Sequence, residues 1–268
     1  LCPMKSKVCL AIMGCGWLGK SIGNSLIREG DDVLGSTTTS NNLSILSDSG
    51  IQPFLIEVGN PNGALPEEFL NADWLILSTP PSPLASSLEW LTSELSKRPS
   101  GNTLMISSTA VYPTDKGLVN EEDAIHQKSP HSGVDLLALE KAIQSSGPTT
   151  VLRLGGLYGP DRNPGNFLSG RKEIRQGNSP VNLIHREDVV NIVCHIIKND
   201  ICPETFNAVA PAHPSRREFY TAAAKESGLP VPQFDVNNME GSNKIIDSSR
   251  LIKRLSYEFI HPNPMLDL

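Results

Sequence analysis

The stretch KVCLAIMGCGWLGKSIGNSLIREG, residues 7–30, carries the strongest structural signal in this 268-residue chain. Six consecutive apolar residues, 8–13, predict a strand buried on both faces, and the segment after them has helical spacing. Between the two, Gly14 provides the backbone angles of a sharp turn, Gly16 lets the main chain approach a pyrophosphate, and Gly19 lets helix and strand pack closely. Strand, turn and helix together predict a dinucleotide site with its phosphates at the helix N-terminus.

Strands alternate with helices as far as residue 154. The predicted strands are 8–13, 32–36, 51–58, 75–77, 103–106 and 150–154, and the predicted helices are 17–29, 43–48, 84–98 and 134–145. This alternation indicates a doubly wound parallel sheet, the α/β Rossmann fold, with binding loops at the carboxyl ends of its strands. Besides the three glycines, the predicted cofactor-binding residues are Trp17, Leu18, Ser36, Thr37, Thr38, Ser78, Thr79, Pro80, Ser107 and Gly155.

Beyond residue 154, glycine and proline break the chain into shorter pieces. This change predicts a Rossmann domain at 4–160 and, at 161–268, mainly a small carboxy-terminal substrate lobe, with segments around 182–200 returning to the Rossmann core. Within the lobe, the predicted helices are 187–198, 216–227 and 249–255, and the predicted strands are 205–209 and 244–247.

Composition narrows the function classes. The net charge of −6, with lysine and arginine dispersed, argues against a nucleic-acid surface and favours a small-molecule partner. The five cysteines are scattered without a C-x-x-C pair, which predicts reduced thiols and no metal site. No apolar run approaches the roughly 18 residues that a membrane span needs. We therefore expect a cytoplasmic protein without a membrane segment, and the sequence leaves its oligomeric state open.

Five strings connect these observations to a known class of proteins. They are GCGWLG at 14–19, SSTAVY at 107–112, RLGGLYGP at 153–160, NLIHREDVV at 182–190 and KIID at 244–247. In order and spacing the chain resembles the extended short-chain dehydrogenase/reductases of the epimerase and dehydratase class. More narrowly, GCGWLG, the Gly35-Ser36-x-Thr38 strand end and APAHP at 210–214 resemble the atypical, bacterial YeeZ-type branch. The resemblance implies the fold and an NAD(P) cofactor more strongly than it implies a reaction.

The resemblance also implies a catalytic set, which is incomplete here. Active members of the class use a serine or threonine, a tyrosine, and a lysine four residues later that lowers the pKa of the tyrosine. The serine matches Ser108. If Glu140 is the glutamate of the class's helix, the tyrosine position falls on Gly133 and the lysine position on Leu137. If Lys141 is the lysine, the tyrosine position falls on Leu137, so neither register supplies a tyrosine.

There is no tyrosine between Tyr112 and Tyr158. One hypothesis is that the protein still transfers hydride as an oxidoreductase or an epimerase/dehydratase-like enzyme, with another group handling the proton. The catalytic candidates are then Ser108, Tyr112, Tyr158 and His131, with His185 a further one. The alternative is a dinucleotide-binding sensor or partner-binding module without turnover.

Two further predictions concern ligand specificity. Ser36, Thr37 and Thr38 stand where an NAD-selective protein carries Asp or Glu, which favours NADP over NAD; alternatively, they cap the following helix. Arg162, Asn163 and His185, with Ser108, are the predicted substrate contacts, for example to a sugar-nucleotide phosphate. An ordinary surface position accounts for Arg162 and Asn163 equally well. The acidic residues after His185 are also what the start of a helix favours.

Overall fold

The sheet is built around the first strand of the chain. The computed structural model describes residues 7–60 and 63–268. In it, residues 10–13 are fully buried, and the glycine loop leads from this strand into an amphipathic helix that buries Leu18, Ile22 and Leu26. Strand and helix therefore form where the apolar run and the helical spacing predict them.

The other elements follow in the predicted alternation. Among the described residues the strands are β1 (Cys9–Met13), β2 (Asp32–Thr37), β3 (Gln52–Leu55), β4 (Trp74–Leu77), β5 (Asn102–Ser108), β6 (Leu118–Val119), β7 (Thr149–Leu154), β8 (Gly156–Tyr158), β9 (Leu183–His185), β10 (Glu204–Ala208) and β11 (Ile245–Ile246). The α-helices are α1 (Trp17–Arg28), α2 (Asn42–Asp48), α3 (Glu67–Leu70), α4 (Pro81–Ser86), α5 (Leu88–Ser96), α6 (Leu136–Gln144), α7 (Gly165–Leu168), α8 (Arg186–Lys198), α9 (Arg216–Glu226) and α10 (Ser249–Leu255). Short 3₁₀ helices cover Thr109–Val111, Glu121–Asp123 and Pro264–Asp267.

Seven strands form the main sheet, in the order β10-β7-β5-β4-β1-β2-β3. β1 pairs in parallel with β2 on one side, where Ile12 faces Gly35, and with β4 on the other, where Ile12 faces Ile76. The chain runs outward in one direction through β2 and β3 and in the other through β4 and β5. This is the doubly wound Rossmann arrangement, and the predicted fold class is confirmed. The switch point of the sheet lies between β1 and β4, so the loop after β1 opens there.

Three details differ from the sequence-based expectations. The helix predicted at 84–98 is two helices, because Ser87 leaves helical geometry at φ −120° and ψ 24°. β3 ends at Leu55 rather than at residue 58, because its pairing partner β2 ends opposite it at Thr37. The strand predicted at 205–209, which we expect in the small lobe, is β10, and it is hydrogen-bonded to β7 at the edge of the main sheet.

The chain divides into two compact units. Of the described residues, the first unit contains 7–60, 63–107, 126–152 and 193–205, and the second contains 108–125, 153–192 and 206–268. A core cluster of the first unit includes Met13, Phe69 and Leu77. One cluster of the second unit joins Tyr158 to Phe219. The predicted domain boundary at residue 160 stays a prediction.

In the second unit, β6 pairs with β11 and β8 pairs with β9, both in parallel. No helix of the described residues has the length and apolar composition needed to cross a membrane.

Candidate functional site

The glycine loop after β1 is closed against the segment after β4. Gly14 has a φ of +95°, a conformation that side chains disfavour. A Cβ atom at this position would lie 2.8 Å from Thr79 Oγ1 and 2.9 Å from Thr79 N. Thr79 Oγ1 in turn donates to the Met13 carbonyl at 3.2 Å. Position 14 therefore excludes a side chain both by backbone angle and by space.

The other two glycines have opposite surroundings. Gly19 is in the first turn of α1, and a Cβ atom there would lie 2.3 Å from the Gly14 carbonyl oxygen. Gly16 is the residue before α1 and has no side-chain cap. A Cβ atom on Gly16 would meet no heavy atom of the described residues within 4 Å, its chain neighbours aside. Gly19 thus allows the helix to approach the loop, and Gly16 leaves open space at the helix N-terminus.

Ser36, Thr37 and Thr38 lie at the end of β2 and just after it, and each has a different role in the structure. Ser36 is buried and its Oγ accepts a hydrogen bond from Gly14 N at 2.9 Å, while its carbonyl accepts from Cys15 N at 2.8 Å. Ser36 therefore holds the glycine loop in place.

Thr37 and Thr38 differ in exposure. Thr37 is buried, and its Oγ1 accepts from Thr39 N at 3.2 Å and from Asn42 Nδ2 at 3.4 Å, which ties it to the start of α2. Thr38 is exposed. Of these three residues, Thr38 is thus the one that presents its side chain to solvent.

The remaining predicted cofactor residues lie mostly at strand ends. Trp17 is half-buried and Leu18 buried in the first turn of α1. Ser78 is half-buried and follows β4, and Pro80 is exposed and precedes α4. Ser107, which is buried in β5, donates its hydroxyl hydrogen to Glu140 Oε1 at 2.5 Å.

Gly155 follows β7 in the second unit. Its N–H donates to the Ala208 carbonyl at 3.1 Å, and a Cβ atom on it would lie 2.7 Å from the Asn182 carbonyl oxygen. The close approach of backbone to backbone is what requires a glycine at this position.

The predicted proton-transfer residues occupy different environments. Ser108, at the end of β5, is half-buried and its Oγ accepts from Ala110 N at 3.2 Å. His131 is exposed in the loop before α6. In the same unit as His131, Lys141 Nζ lies 3.2 Å from His126 Nε2, and His126 Nδ1 lies 3.1 Å from Asp135 Oδ2.

Tyr112 is completely buried in a polar network. Its hydroxyl donates to Asn207 Oδ1 at 2.6 Å and accepts from Arg153 Nη1 at 2.8 Å. The same guanidinium nitrogen donates to the Glu121 carbonyl at 2.8 Å. Burial, only partly offset by Arg153, raises the pKa of Tyr112 to about 12. This environment favours a structural role for Tyr112, although its catalytic assignment stays a prediction.

Tyr158 and His185 lie against each other in the second unit. The Tyr158 side chain is buried, and its hydroxyl donates to Asp267 Oδ2. Its ring contacts the His185 ring edge-to-face, with 5.1 Å between the ring centroids. Burial, and next the hydrogen bond to Asp267, raise the pKa of Tyr158. Both residues line a cavity of about 450 Å³ whose wall also includes Gly159, Asn163 and Asp267.

His261 is the centre of a histidine–carboxylate cluster around His185. Its ring lies 3.7 Å from the His185 ring, centroid to centroid. Nδ1 is 2.7 Å from Asp267 Oδ1 and Nε2 is 3.0 Å from Glu187 Oε2. Burial lowers the pKa of His261, but the hydrogen bonds with Asp267 and Glu187 outweigh it and the pKa is raised. Burial and then the charge of His261 lower the pKa of His185.

Asp188, predicted at a helix start, is fully buried and holds the segment that carries His261. Its Oδ1 accepts from the Tyr257 hydroxyl and from Ile260 N, both at 2.8 Å, and its Oδ2 accepts from His261 N at 3.0 Å. These bonds give Asp188 a structural function.

The predicted substrate residues Arg162 and Asn163 are both exposed. Asn163 Oδ1 accepts from Gly165 N at 2.7 Å, and its Nδ2 donates to Ser227 Oγ at 2.9 Å. Asn163 therefore braces the start of α7 while lining the same cavity as His185.

Comparison with known proteins gives the family. No family-level sequence profile matches the chain. Protein YeeZ of Escherichia coli K12 is 34% identical to it over 271 residues, which cover 96% of this chain and 97% of YeeZ. The chain belongs to the YeeZ family. The predicted resemblance to the atypical YeeZ-type branch is confirmed.

Solved structures share the fold of this YeeZ-family chain. A functionally unknown conserved protein from Silicibacter pomeroyi has a TM-score of 0.78 at 21% identity, covering 97% of this chain and 96% of that one. UDP-glucuronic acid 4-epimerase from Bacillus cereus, in complex with UDP-glucuronic acid and NAD, has a TM-score of 0.72 at 17% identity, covering 93% of each chain. At these identities the similarity shows the fold alone.

Sequence reasoning missed His261, Asp267 and Asn207 in the YeeZ-family chain. Glu187 is 74 residues from His261, Tyr158 is 109 residues from Asp267, and Tyr112 is 95 residues from Asn207. No local pattern connects such pairs. The one signal available was the H-x-E sequence at residues 185–187, which places one polar side chain at the end of β9 and another in the first turn of α8.

Proposed function

We propose that this YeeZ-family chain binds an NAD(P) dinucleotide at the glycine loop and uses it in oxidoreductase or epimerase/dehydratase-like chemistry. The observation that carries the proposal is the contrast between Gly16, where a Cβ atom would enter open space, and Gly14 and Gly19, where it would collide with protein atoms. A pyrophosphate fits a loop that is closed around itself yet open at the first turn of a helix. When bound, the nicotinamide supplies the hydride chemistry.

The first test is the affinity for NADPH and NADH, measured by fluorescence titration. Gly16→Asp puts a carboxylate in the open space at the helix N-terminus, so we expect it to abolish binding of both dinucleotides. Gly16→Ala is the matched control, because a methyl group there meets nothing and adds no charge. Unchanged affinity in the aspartate variant would exclude this loop as the site.

NADP rather than NAD is the preferred cofactor in this proposal. Its support is the exposed Thr38 together with the absence of a carboxylate among residues 36–38. We expect Thr38→Asp to weaken NADPH relative to NADH by about tenfold or more, because placing like charges side by side is costly. Thr38→Asn has the same shape without the charge and should preserve the wild-type preference. An equal effect of both variants on NADPH and NADH would argue against the 2′-phosphate contact.

The proposed substrate is a small molecule of the sugar-nucleotide class. The Bacillus cereus structure contains UDP-glucuronic acid, and the cavity beside His185 and Asn163 is large enough for part of such a molecule. Among the predicted proton-transfer residues, Ser108, His131 and His185 have side chains that are not fully buried, so they are the proposed candidates. Arg162 remains the proposed partner for a phosphate.

A non-catalytic dinucleotide sensor is the second candidate function. Two observations favour it. Neither register of the catalytic pair, counted from Glu140 or from Lys141, supplies a tyrosine, and Tyr112 and Tyr158 are each buried with their hydroxyls in hydrogen bonds. Incubation with NAD(P) and a panel of sugar nucleotides separates the two functions. NMR of the sugar is needed besides nicotinamide absorbance, because epimerisation causes no net redox change.

If the chain is an enzyme, we expect Ser108→Ala to lower kcat/KM by about 100-fold, the size of effect that a lost positioning contact produces. Turnover that survives this substitution unaltered would remove Ser108 from the mechanism. A sensor would bind NADPH but convert no sugar nucleotide in the panel. Its affinity for NADPH would be the same in the Ser108→Ala variant as in the wild type.

A further inference from the structure

We propose that His185, Glu187 and His261 form a binding site for a divalent transition-metal cation of the Zn²⁺ type. One ring nitrogen of each histidine and one carboxylate oxygen of Glu187 all lie within 4.8 Å of one another. Two imidazoles and one carboxylate are a donor set that Zn²⁺ and its neighbours in the first transition row accept, whereas Mg²⁺ and Ca²⁺ prefer oxygen ligands alone. These three residues are not part of the glycine loop, and the proposal does not rest on the proposed dinucleotide function.

The spacing of two of the donors already approaches that of zinc ligands. His261 Nε2 and Glu187 Oε2 are 3.0 Å apart. Two ligands at tetrahedral positions about 2.1 Å from a zinc ion stand about 3.4 Å apart. A cation can therefore enter between these atoms with a shift of a few tenths of an ångström. The third donor is on the His185 ring, which is tilted by 41° to the His261 ring at a centroid distance of 3.7 Å.

The surroundings orient His261 in the way that metal-binding histidines are usually oriented. Its Nδ1 is held by Asp267 Oδ1 at 2.7 Å, which directs Nε2 toward Glu187. A carboxylate on the far ring nitrogen fixes both the tautomer and the direction of a metal-binding imidazole. The backbone of His261 is fixed separately, because its N–H donates to the fully buried Asp188.

The site also has room for an additional ligand. His185 and Asp267 line the cavity of about 450 Å³. Three protein ligands beside an open cavity leave a fourth coordination position for water or for an oxygen atom of a bound molecule. The site thus resembles an open zinc centre rather than a closed structural one.

The test uses the untagged full chain, stripped with a chelator and titrated with Zn²⁺ alone by calorimetry and with Co²⁺ by visible absorption. We expect one ion per chain and a Co²⁺ spectrum of low coordination number without thiolate bands. His185→Asn, Glu187→Gln and His261→Asn should each weaken Zn²⁺ binding by more than about tenfold. Asp267→Asn, which replaces the carboxylate that orients His261 and also accepts from the Tyr158 hydroxyl, should weaken it by about 10–100-fold.

Two variants serve as matched controls. His195→Asn changes another histidine of α8, and Glu226→Gln changes an exposed carboxylate that lines the same cavity; neither belongs to the cluster. Both should bind Zn²⁺ as the wild type does. The proposal is overturned if the wild type binds no Zn²⁺ at micromolar concentrations. It is equally overturned if Glu187→Gln, with a wild-type circular dichroism spectrum, binds as tightly as the controls.

Discussion

Gly16 and Gly19 belong to the same sequence motif, yet their surroundings predict different responses to an added methyl group. In Gly19→Ala the new Cβ atom would lie 2.3 Å from a carbonyl oxygen of the loop, so α1 must move away. We expect the free energy of unfolding to fall by about 1–3 kcal/mol, the usual cost of overpacking. In Gly16→Ala the methyl group enters open space, and we expect a change within about 0.5 kcal/mol.

Urea denaturation of the two variants measures this difference. If both variants lose the same stability, the close approach of helix and loop at Gly19 is not what the motif requires. Dinucleotide affinity gives a second readout, because Gly16→Ala should remain folded and able to bind.

The residues that could be predicted from sequence are those whose role depends on near neighbours. The glycine roles follow from local geometry, since the turn, the strand before it and the helix after it lie within residues 8–29. The burial of Tyr112 could not be predicted, because its partners Asn207 and Arg153 are brought to it by the tertiary fold. The cluster around His261 could not be predicted either, because the tertiary fold brings its residues together.

At the level of single elements, α9 is fixed at its start by a reciprocal pair. Ser215 Oγ accepts from Glu218 N at 3.2 Å, and Glu218 Oε2 accepts from Ser215 N at 3.0 Å. This is the capping box, and it satisfies two backbone donors that the helix itself cannot. We expect Ser215→Ala to lower the free energy of unfolding by about 0.5–2 kcal/mol.

The same pair predicts a pH dependence. Hydrogen bonds from the Ser215 side chain and backbone lower the pKa of Glu218 below its usual value. The folded state therefore favours the ionised carboxylate, so its contribution to stability is complete above the unfolded pKa of about 4.3 and is lost as the pH falls through the lower folded pKa. Urea midpoints measured at acidic pH should show a smaller acid-dependent loss in Glu218→Gln than in the wild type. Parallel acid limbs in the two proteins would contradict this assignment.

The positions of helices and strands could be predicted where a local apolar pattern determines them. The differences arise where contacts between distant segments determine the structure. β1, β2, β4, β5 and β7 each contain at least two consecutive apolar residues, and each lies close to its predicted position. The pairing of β10 with β7 could not be predicted, because the partner of a strand depends on the whole sheet and not on its own five residues. At the break between α4 and α5, Ser87 Oγ donates to the Val58 carbonyl at 3.4 Å, a contact with another segment that the local sequence does not reveal.

For the whole chain, the proposed cofactor predicts a coupling between binding and stability. A ligand that binds only the folded state stabilises it by about 2.7 kcal/mol at a concentration of 100 times its Kd. For a chain of this size such a gain corresponds to a rise in Tm of about 5–11 °C. We therefore expect saturating NADPH to raise the Tm by this amount, and NADH at the same concentration to raise it less, because residues 36–38 carry no carboxylate to select NAD.

Gly16→Asp and Glu187→Gln make this prediction specific to the glycine loop. The first places a charge in the open space at the N-terminus of α1, so NADPH should no longer change its Tm. The second alters the histidine cluster, which lies outside the loop, so its Tm should rise with NADPH as the wild type's does. If NADPH shifts the Tm of Gly16→Asp as much as that of the wild type, the dinucleotide binds elsewhere. If it shifts neither, the folded chain does not bind NADPH and the proposed cofactor is wrong, because a ligand that binds only the folded state must stabilise it.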